Sequence, residues 1–515
     1  MTIKSPTDKL FLLFFCLAKF VLQYSVVNPV YDLHRDEYLY LDQGNHPAWG
    51  YVSVPPFTSW IAFIIQHLGN GIFWVRFFPA LFGTLTLIVC WFIVAELGGG
   101  LKARIVTAIA LICSVLSRLD ILFQPNSFDV LSWTTIYFLL IRYVHRKENK
   151  WLLFTGIAAA IAFLNKYNVA FLLAGLFAAF LLTKERSIFR NRFLYYALGI
   201  AIIILLPNLI WQIQNHWPFV HHMKELARTQ LQYVNPKDFL LFQVLFFIGS
   251  ITIIIASFIG VAVYIPLKPY RFIAISYVCT LLIFLYLQGK NYYTIGLYPV
   301  LIAVGSAYLD EAFTKNWKRL LLPFFAIINV IVFILLFKIL FPVLTPEQIR
   351  ANPEPFQKLG LLKWEDGRDH LLPQDFADMM GWKEMADKTF KVYQQLPDSV
   401  KSKTLVIADN YGEAGAINFY NHGKMNAVSM NADYIRWFPK HPYNTIIAIK
   451  TRNAIIEPVY LQLFQSITFQ DSVQNQWARE RGTSIYLIKG VSPRFQQILD
   501  SAINARINFT PNESD

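Results

Sequence analysis

Charge is what this chain has little of. Only 15% of its 515 residues are Asp, Glu, Lys or Arg, whereas soluble domains carry about 25%. Hydrophobic residues make up 55%, and the mean hydropathy is +0.40. That balance excludes an ordinary soluble globule and points to a membrane protein. Cysteine is also scarce: Cys16, Cys90, Cys113 and Cys279 all lie in apolar runs, and residues 345–515 have none. A disulfide framework and a Cys-based metal site are both unsupported. No Walker or dinucleotide fingerprint, internal repeat or low-complexity tract is present. The first apolar segment, "LFLLFFCLAKFVLQYSVV", lacks a small-residue cleavage site and reads as a retained anchor.

What is present is a series of apolar runs near the length a spanning helix needs, about 20 residues. They lie near 10–27, 72–97, 103–118, 124–144, 151–164, 168–183, 193–213, 239–265, 270–287, 292–309 and 319–341. The fold class expected is therefore an α-helical polytopic membrane protein with about eleven spans. Residues 1–344 hold 27 Lys/Arg against 14 Asp/Glu, and residues 345–515 hold 19 of each. The net charge of +13 thus belongs to the first two-thirds, in short clusters between apolar runs. This is the distribution of membrane topology, and no nucleic-acid partner is implied. With the N-terminus inside, Lys4, Lys9 and the clusters at 102–104, 142–150, 184–192, 268–271 and 315–319 all fall inside, 17 of the 27 basic residues, as the positive-inside rule requires. The loop 28–71, the turns near 118–125, 165–168 and 288–291, the loop 214–238 and residues 345–515 then lie outside. In that last region "TLVIAD", "TIIAIK" and "SIYLIKG" read as short buried strands, and "DNYGEAGAINFY" as a strand-to-helix turn, which predicts a C-terminal soluble α/β domain.

The outer loop contains "HRDEYLYLDQGNHPAWGYVSVPPF". Asp36 and Glu37 form an acidic pair at the membrane surface, where partial desolvation can raise a carboxylate pKa and make a base near neutral pH. The prolines and aromatics that follow shape the loop, with "FTSWIAFIIQHLG" lying along the surface as an amphipathic helix; Trp49 and Tyr51 are alternatively placed to stack on a sugar. Asp129 either caps its helix or binds substrate. In "NHWPFVHHMKEL", His222 and Glu225 have an i,i+3 spacing that suits a divalent cation.

An acidic pair just after the first spanning helix, in a loop rich in aromatics and Pro-Pro, resembles the GT-C fold glycosyltransferases that use polyprenyl-phosphate sugars. The family in view contains protein O-mannosyltransferases and the lipid A aminoarabinose transferase (glycosyltransferase family 39-like). "FQPNSFDVLSWTTIYFLLIRY" with Asp129, "GIAAAIAFLNKYN" ending in Lys166, "QGKNYYTIGLYPVLIAVGSAYL" with Lys290, and "VIADNYGEAGAINFYN" resemble further family segments in order, so the likeness spans about residues 30–430. The chain departs from the O-mannosyltransferase type in lacking a β-rich insertion between its later helices.

The resemblance implies a GT-C catalytic domain over 1–344, with 28–71 as its catalytic loop, and an outer (periplasmic) α/β domain over 345–515. It implies an inverting glycosyltransferase of a bacterial inner (plasma) membrane, moving a hexose or pentose from a polyprenyl-phosphate donor to a lipid, glycan or protein acceptor. Asp36 would be the base; Glu37 would orient the acceptor, hold a metal or set the Asp36 pKa. Lys166, Lys290 and Arg35 would hold the donor phosphate, and Asp129 the sugar or acceptor. The alternatives are a transporter or flippase of a lipid-linked glycan, for which Lys19 and Lys338 are the main charges inside spans, and a non-catalytic scaffold.

Overall fold

In lipid a chain can satisfy its own backbone only as a helix or a closed barrel, and the apolar two-thirds of this protein is helical. The computed structural model describes residues 5–313, 321–452, 454 and 458–509; Lys4 and the 315–319 cluster used in the charge reading lie outside the described residues. The helices that matter here are α1 (Pro6–Ser25), α2 (Arg35–Gln43), α3 (Phe57–His67), α4 (Ile72–Glu96), α5 (Leu101–Ile112), α6 (Pro125–Arg146), α7 (Lys150–Asn165), α8 (Val169–Leu181), α9 (Arg192–Gln214) and α10 (Pro218–Thr229). They continue with α11 (Pro236–Leu245), α12 (Ile251–Val263), α13 (Arg271–Tyr286), α14 (Tyr298–Ala312) and α15 (Leu321–Leu340).

Every expected span has a helical counterpart, but the segments differ in length and continuity. Among the described residues five helices are long and apolar enough to cross a membrane: Ile72–Glu96, Arg192–Gln214, Ile265–Tyr286, Asn291–Ala312 and Leu321–Leu340. A sixth arises if Pro236–Leu245 and Ile248–Val263, bent by 65°, count as one span. Lys150–Asn165 and Val169–Leu181 are shorter apolar helices. The run at 103–118 divides where Ser114 turns its hydroxyl back to the Leu111 carbonyl, 2.8 Å away, an alternative to the helical ladder that Ser offers readily. Inside the bundle, Lys19 pairs with Asp120 at 2.7 Å and donates to Ser117 Oγ at 2.9 Å. Two charges in an apolar interior are tolerated only when paired in this way.

After α15 come α16 (Trp382–Gln394) and a five-stranded sheet: β1 (Thr404–Ala408), β2 (Ala427–Ser429), β3 (Thr445–Lys450), β4 (Ser466–Ser472) and β5 (Ser484–Lys489). The order is β2-β1-β3-β5-β4. β1 is parallel to β2 and β3, whereas β5 is antiparallel to both β3 and β4. The crossover from β1 to β2 is α17 (Tyr411–Asn421), and α18 (Pro493–Ile507) follows the sheet. Chain order switches sides between β2 and β3, so the carboxyl end of β1 is a topological switch point, the usual place for function in an open α/β sheet.

The loop over residues 28–71 and this sheet share one core. Tyr31, Tyr38, Leu41 and Ile65 of the loop region are buried with Trp382, Met385, Ala414, Ile417 and Tyr434. The contact is close because α17 carries glycine where it meets α2. A Cβ at Gly415 would lie 2.8 Å from Tyr38 Cβ and 3.0 Å from its backbone carbon, and one at Gly412 would lie 2.6 Å from Arg35 Cγ. Two points fix the relative direction of the helices: Tyr411 meets Asp36 near the start of both, and Asn418 meets Asp42 near the end of both. They therefore run alongside each other in the same sense.

Candidate functional site

Asp36 sits in the first turn of α2, where the helix dipole favours an anion. His34 caps that helix: its Nδ1 accepts from the Asp36 amide at 3.2 Å, and its own backbone N–H donates to Glu37 Oε2 at 2.7 Å. The Asp36 side chain is 38% exposed. Its Oδ1 accepts from the Tyr411 hydroxyl at 2.7 Å and its Oδ2 from Gln124 Nε2 at 3.4 Å. Burial pushes the carboxyl up, but His34, the Tyr411 hydroxyl, Arg35 and Lys290 outweigh it and hold the pKa below the ordinary 3.8. The sequence reading expected the opposite direction. The reversal has a local cause: cationic and hydroxyl groups surround this carboxylate, so it stays ionised.

Glu37 is 0% exposed and does not face the site. Its Oε1 accepts from Arg76 Nη1 at 2.8 Å and from the Phe123 amide at 2.7 Å. With the His34 N–H on Oε2, the carboxylate is spent on fixing the start of α2 against α4 and the 120s turn. It positions Asp36 and touches nothing that a substrate could reach. Arg35, expected on the donor phosphate, instead lies 4.5 Å over the Tyr411 ring.

The lysines lie where short turns join the apolar helices. Lys166 caps the end of α7, 18% exposed, and donates to Asn126 Oδ1 at 2.8 Å. Its ammonium is 3.9 Å from Asp129 Oδ2 and 4.7 Å from the centre of the Tyr293 ring. Asp129 also accepts from Asn168 Nδ2 at 2.9 Å and is buried, so it braces Lys166 and is not presented to a sugar. Lys290 is half-buried, and its ammonium makes no hydrogen bond or ion pair among the described residues. It lies within electrostatic range of Asp36, Lys166 and His222. The fold thus brings Lys290 within electrostatic range of both Asp36 and Lys166, with Tyr40, Tyr292 and Tyr293 close by.

The remaining expectations fare less well. Tyr51 is 2% exposed, its hydroxyl within bonding distance of the Gln43 and His46 carbonyls. It staples the loop and is no platform for a sugar. Trp49 is exposed and edge-on to Trp60, while its carbonyl accepts from Asn208 Nδ2 at 2.6 Å, tying the loop to α9. His222 and Glu225 find no third His, Cys, Asp or Glu with which to hold a metal ion among the described residues, so the residues present do not fit the expected cation. Burial and the nearby Lys290 charge, against Glu225, hold the His222 imidazole below its ordinary pKa.

Tyr411, Gln124 and Asn126 were not singled out from sequence. The available signal was Gly412 and Gly415 in "DNYGEAGAINFY", which permit the approach that brings Tyr411 to Asp36.

A bundle of apolar helices with a small α/β unit packed on one of its loops is the arrangement of the GT-C fold. Particular relatives bear this out. A family model described as dolichyl-phosphate-mannose-protein mannosyltransferase matches residues 53–211, which takes in Asp129 and Lys166. A lipid A galacturonosyltransferase, RgtD, of Rhizobium johnstonii is 27% identical over 206 residues, 38% of this chain and 42% of that protein. Crystal structures of ArnT from Cupriavidus metallidurans, bound to undecaprenyl phosphate and in the apo state, superpose with a TM-score of 0.61 each. They are 14% and 15% identical and cover 93% and 94% of this chain and 98% of theirs. The chain therefore has the fold of the ArnT structures, and its residues 53–211 resemble the mannosyltransferase family, in line with what the sequence motifs implied.

Proposed function

We propose that the protein is an inverting glycosyltransferase that moves a sugar from a polyprenyl-phosphate donor to a hydroxyl or phosphate of a lipid, glycan or protein acceptor. The observation that carries this reading is the grouping of Asp36 with Lys290 and Lys166 where short turns join the apolar helices. The relatives support it: RgtD is a lipid A galacturonosyltransferase, and ArnT has been seen with undecaprenyl phosphate.

The chemistry follows from these groups. An acceptor O–H gives its proton to Asp36 as its oxygen bonds to the anomeric carbon. The bond from that carbon to the phosphate oxygen breaks, and its electron pair leaves with the polyprenyl phosphate. That phosphate is already an anion and needs no acid; it needs fixed positive charge, which Lys166 and Lys290 supply in a site sheltered from water. One displacement inverts the anomeric centre, and one carboxylate suffices, unlike the paired carboxylates of glycoside hydrolases. The same reading puts the site and residues 345–515 on the periplasmic side of a bacterial inner membrane, with the basic clusters inside.

The test is single-turnover reaction of labelled polyprenyl-phosphate sugars with purified protein in proteoliposomes containing a lipid extract. Release of polyprenyl phosphate with a labelled product of inverted configuration supports the transferase. Label crossing the bilayer with the donor intact would establish a transporter instead.

A further inference from the structure

A second polar opening lies at the far end of the α2–α17 seam, outside the site just described. It is a cleft of about 540 Å³ between the α2–α3 region and the α17–β2 turn, within the 300–1,000 Å³ typical of small-ligand sites (an approximate range). Among the described residues no lysine or arginine lines it. Its floor is Asp42, 4% exposed, with Oδ1 accepting from Asn45 Nδ2 at 2.8 Å and Oδ2 from Asn418 Nδ2 at 2.6 Å. Asn418 is itself locked onto β2, accepting from the Ala427 amide at 2.6 Å and donating to its carbonyl at 3.0 Å. The floor is therefore rigid.

The rim is different. The side chains of Asn70, His422 and Asn426 make no hydrogen bond among the described residues, and Asn70 Oδ1 is buried without a donor. Asn70 and His422 stand at φ 53° and 48°, each beside a positive-φ glycine, so two tight turns present them. One wall is aromatic: His46 lies flat on Trp437, centroids 4.1 Å apart and planes 13° apart.

Amide donors and acceptors held around a flat aromatic wall, with no cation, suit a ligand rich in hydroxyls and poor in charge. A phosphate would find no lysine or arginine here, and an apolar side chain would leave the rim amides of Asn70 and Asn426 unpaired. We infer that this cleft is a binding subsite for a neutral saccharide. Asp42 is six residues along α2 from Asp36, or about 9 Å at 1.5 Å per residue, the separation of one or two sugar rings. In assigning the bound sugar to the acceptor, the inference rests on the transferase reading; the acceptor is then a glycan-bearing molecule, gripped by a sugar other than the one that reacts.

Binding tests this independently of turnover. The full chain carrying Asp36→Asn is titrated in detergent with the methyl glycosides of glucose, galactose, mannose and N-acetylglucosamine, read by saturation-transfer NMR and calorimetry. Inorganic phosphate serves as control. The expected result is saturable binding of at least one glycoside, weakened tenfold or more by Asn426→Leu with His422→Leu, both exposed side chains, at unchanged melting temperature. Binding of none of the four, equal binding by the double variant, or displacement of the sugar by phosphate would overturn it. A protein that binds sugar here yet never turns over donor would keep the subsite and lose the transferase, so the two failures are distinct.

Discussion

Asp36 is ionised because of what touches it, and the hydroxyl of Tyr411, the shorter of its two neutral side-chain contacts, can be removed without altering charge. Tyr411→Phe removes the 2.7 Å hydrogen bond that favours the carboxylate form. The Asp36 pKa then rises, and because the base must be unprotonated, the acid limb of the kcat/KM profile moves to higher pH. A fall of about three- to tenfold at neutral pH is expected, from the loss of roughly 1 kcal/mol of hydrogen bonding. Lys290→Met removes charge without removing length. It should lower transfer by about 10²–10³, the effect of deleting one group that stabilises developing negative charge, with single-turnover rates as the readout. These lysines and Asp36 were legible in sequence because a charge in a short turn between apolar runs stands out. Tyr411 was not, because its partner lies 375 residues away and a neutral side chain in a polar segment carries no mark. The different surroundings of Glu37 were hidden because successive residues on a helix point about 100° apart: Asp36 meets Tyr411 and Glu37 meets Arg76.

At the scale of elements, the site depends on how closely α2 and α17 approach. Gly415→Ala places a methyl 2.8 Å from Tyr38 Cβ and near its backbone, and overpacking of that kind costs about 1–3 kcal/mol. A lower melting temperature together with reduced transfer is expected. An unchanged melting temperature would show that the seam is looser than it looks. The strands show why element reading succeeded in part. β1, β3 and β5 are short apolar runs and were visible as such. β2 has only three residues, and β4 is an edge strand whose side chains are largely open to solvent, so neither carries a hydrophobic pattern. The helices were visible from hydropathy, but not the 65° bend between α11 and α12, since apolar composition says nothing about where a long run breaks.

For the molecule as a whole, residues 28–71 and the C-terminal α/β unit share buried groups, and that junction should respond to pH. Asp433 joins them: its carboxylate accepts from the Val52 amide at 2.7 Å and from Gln43 Nε2 at 2.8 Å. Burial raises its pKa from 3.8 to about 6, against those bonds and the charge of Arg436. A raised folded-state pKa means that folding takes up a proton, so the contribution is complete below 3.8 and is lost as pH rises through about 6. The size is up to about 3 kcal/mol, at 1.36 per unit. Melting temperature should fall between pH 4 and 6, and Asp433→Asn should flatten that slope. The central claim, that an ionised Asp36 takes the acceptor proton, is tested most directly by single-turnover transfer with Asp36→Asn beside wild type, donor binding being measured on both. The account predicts intact donor binding and transfer lowered by about 10²–10⁴, the usual contribution of a general base. Transfer at the wild-type rate would contradict it.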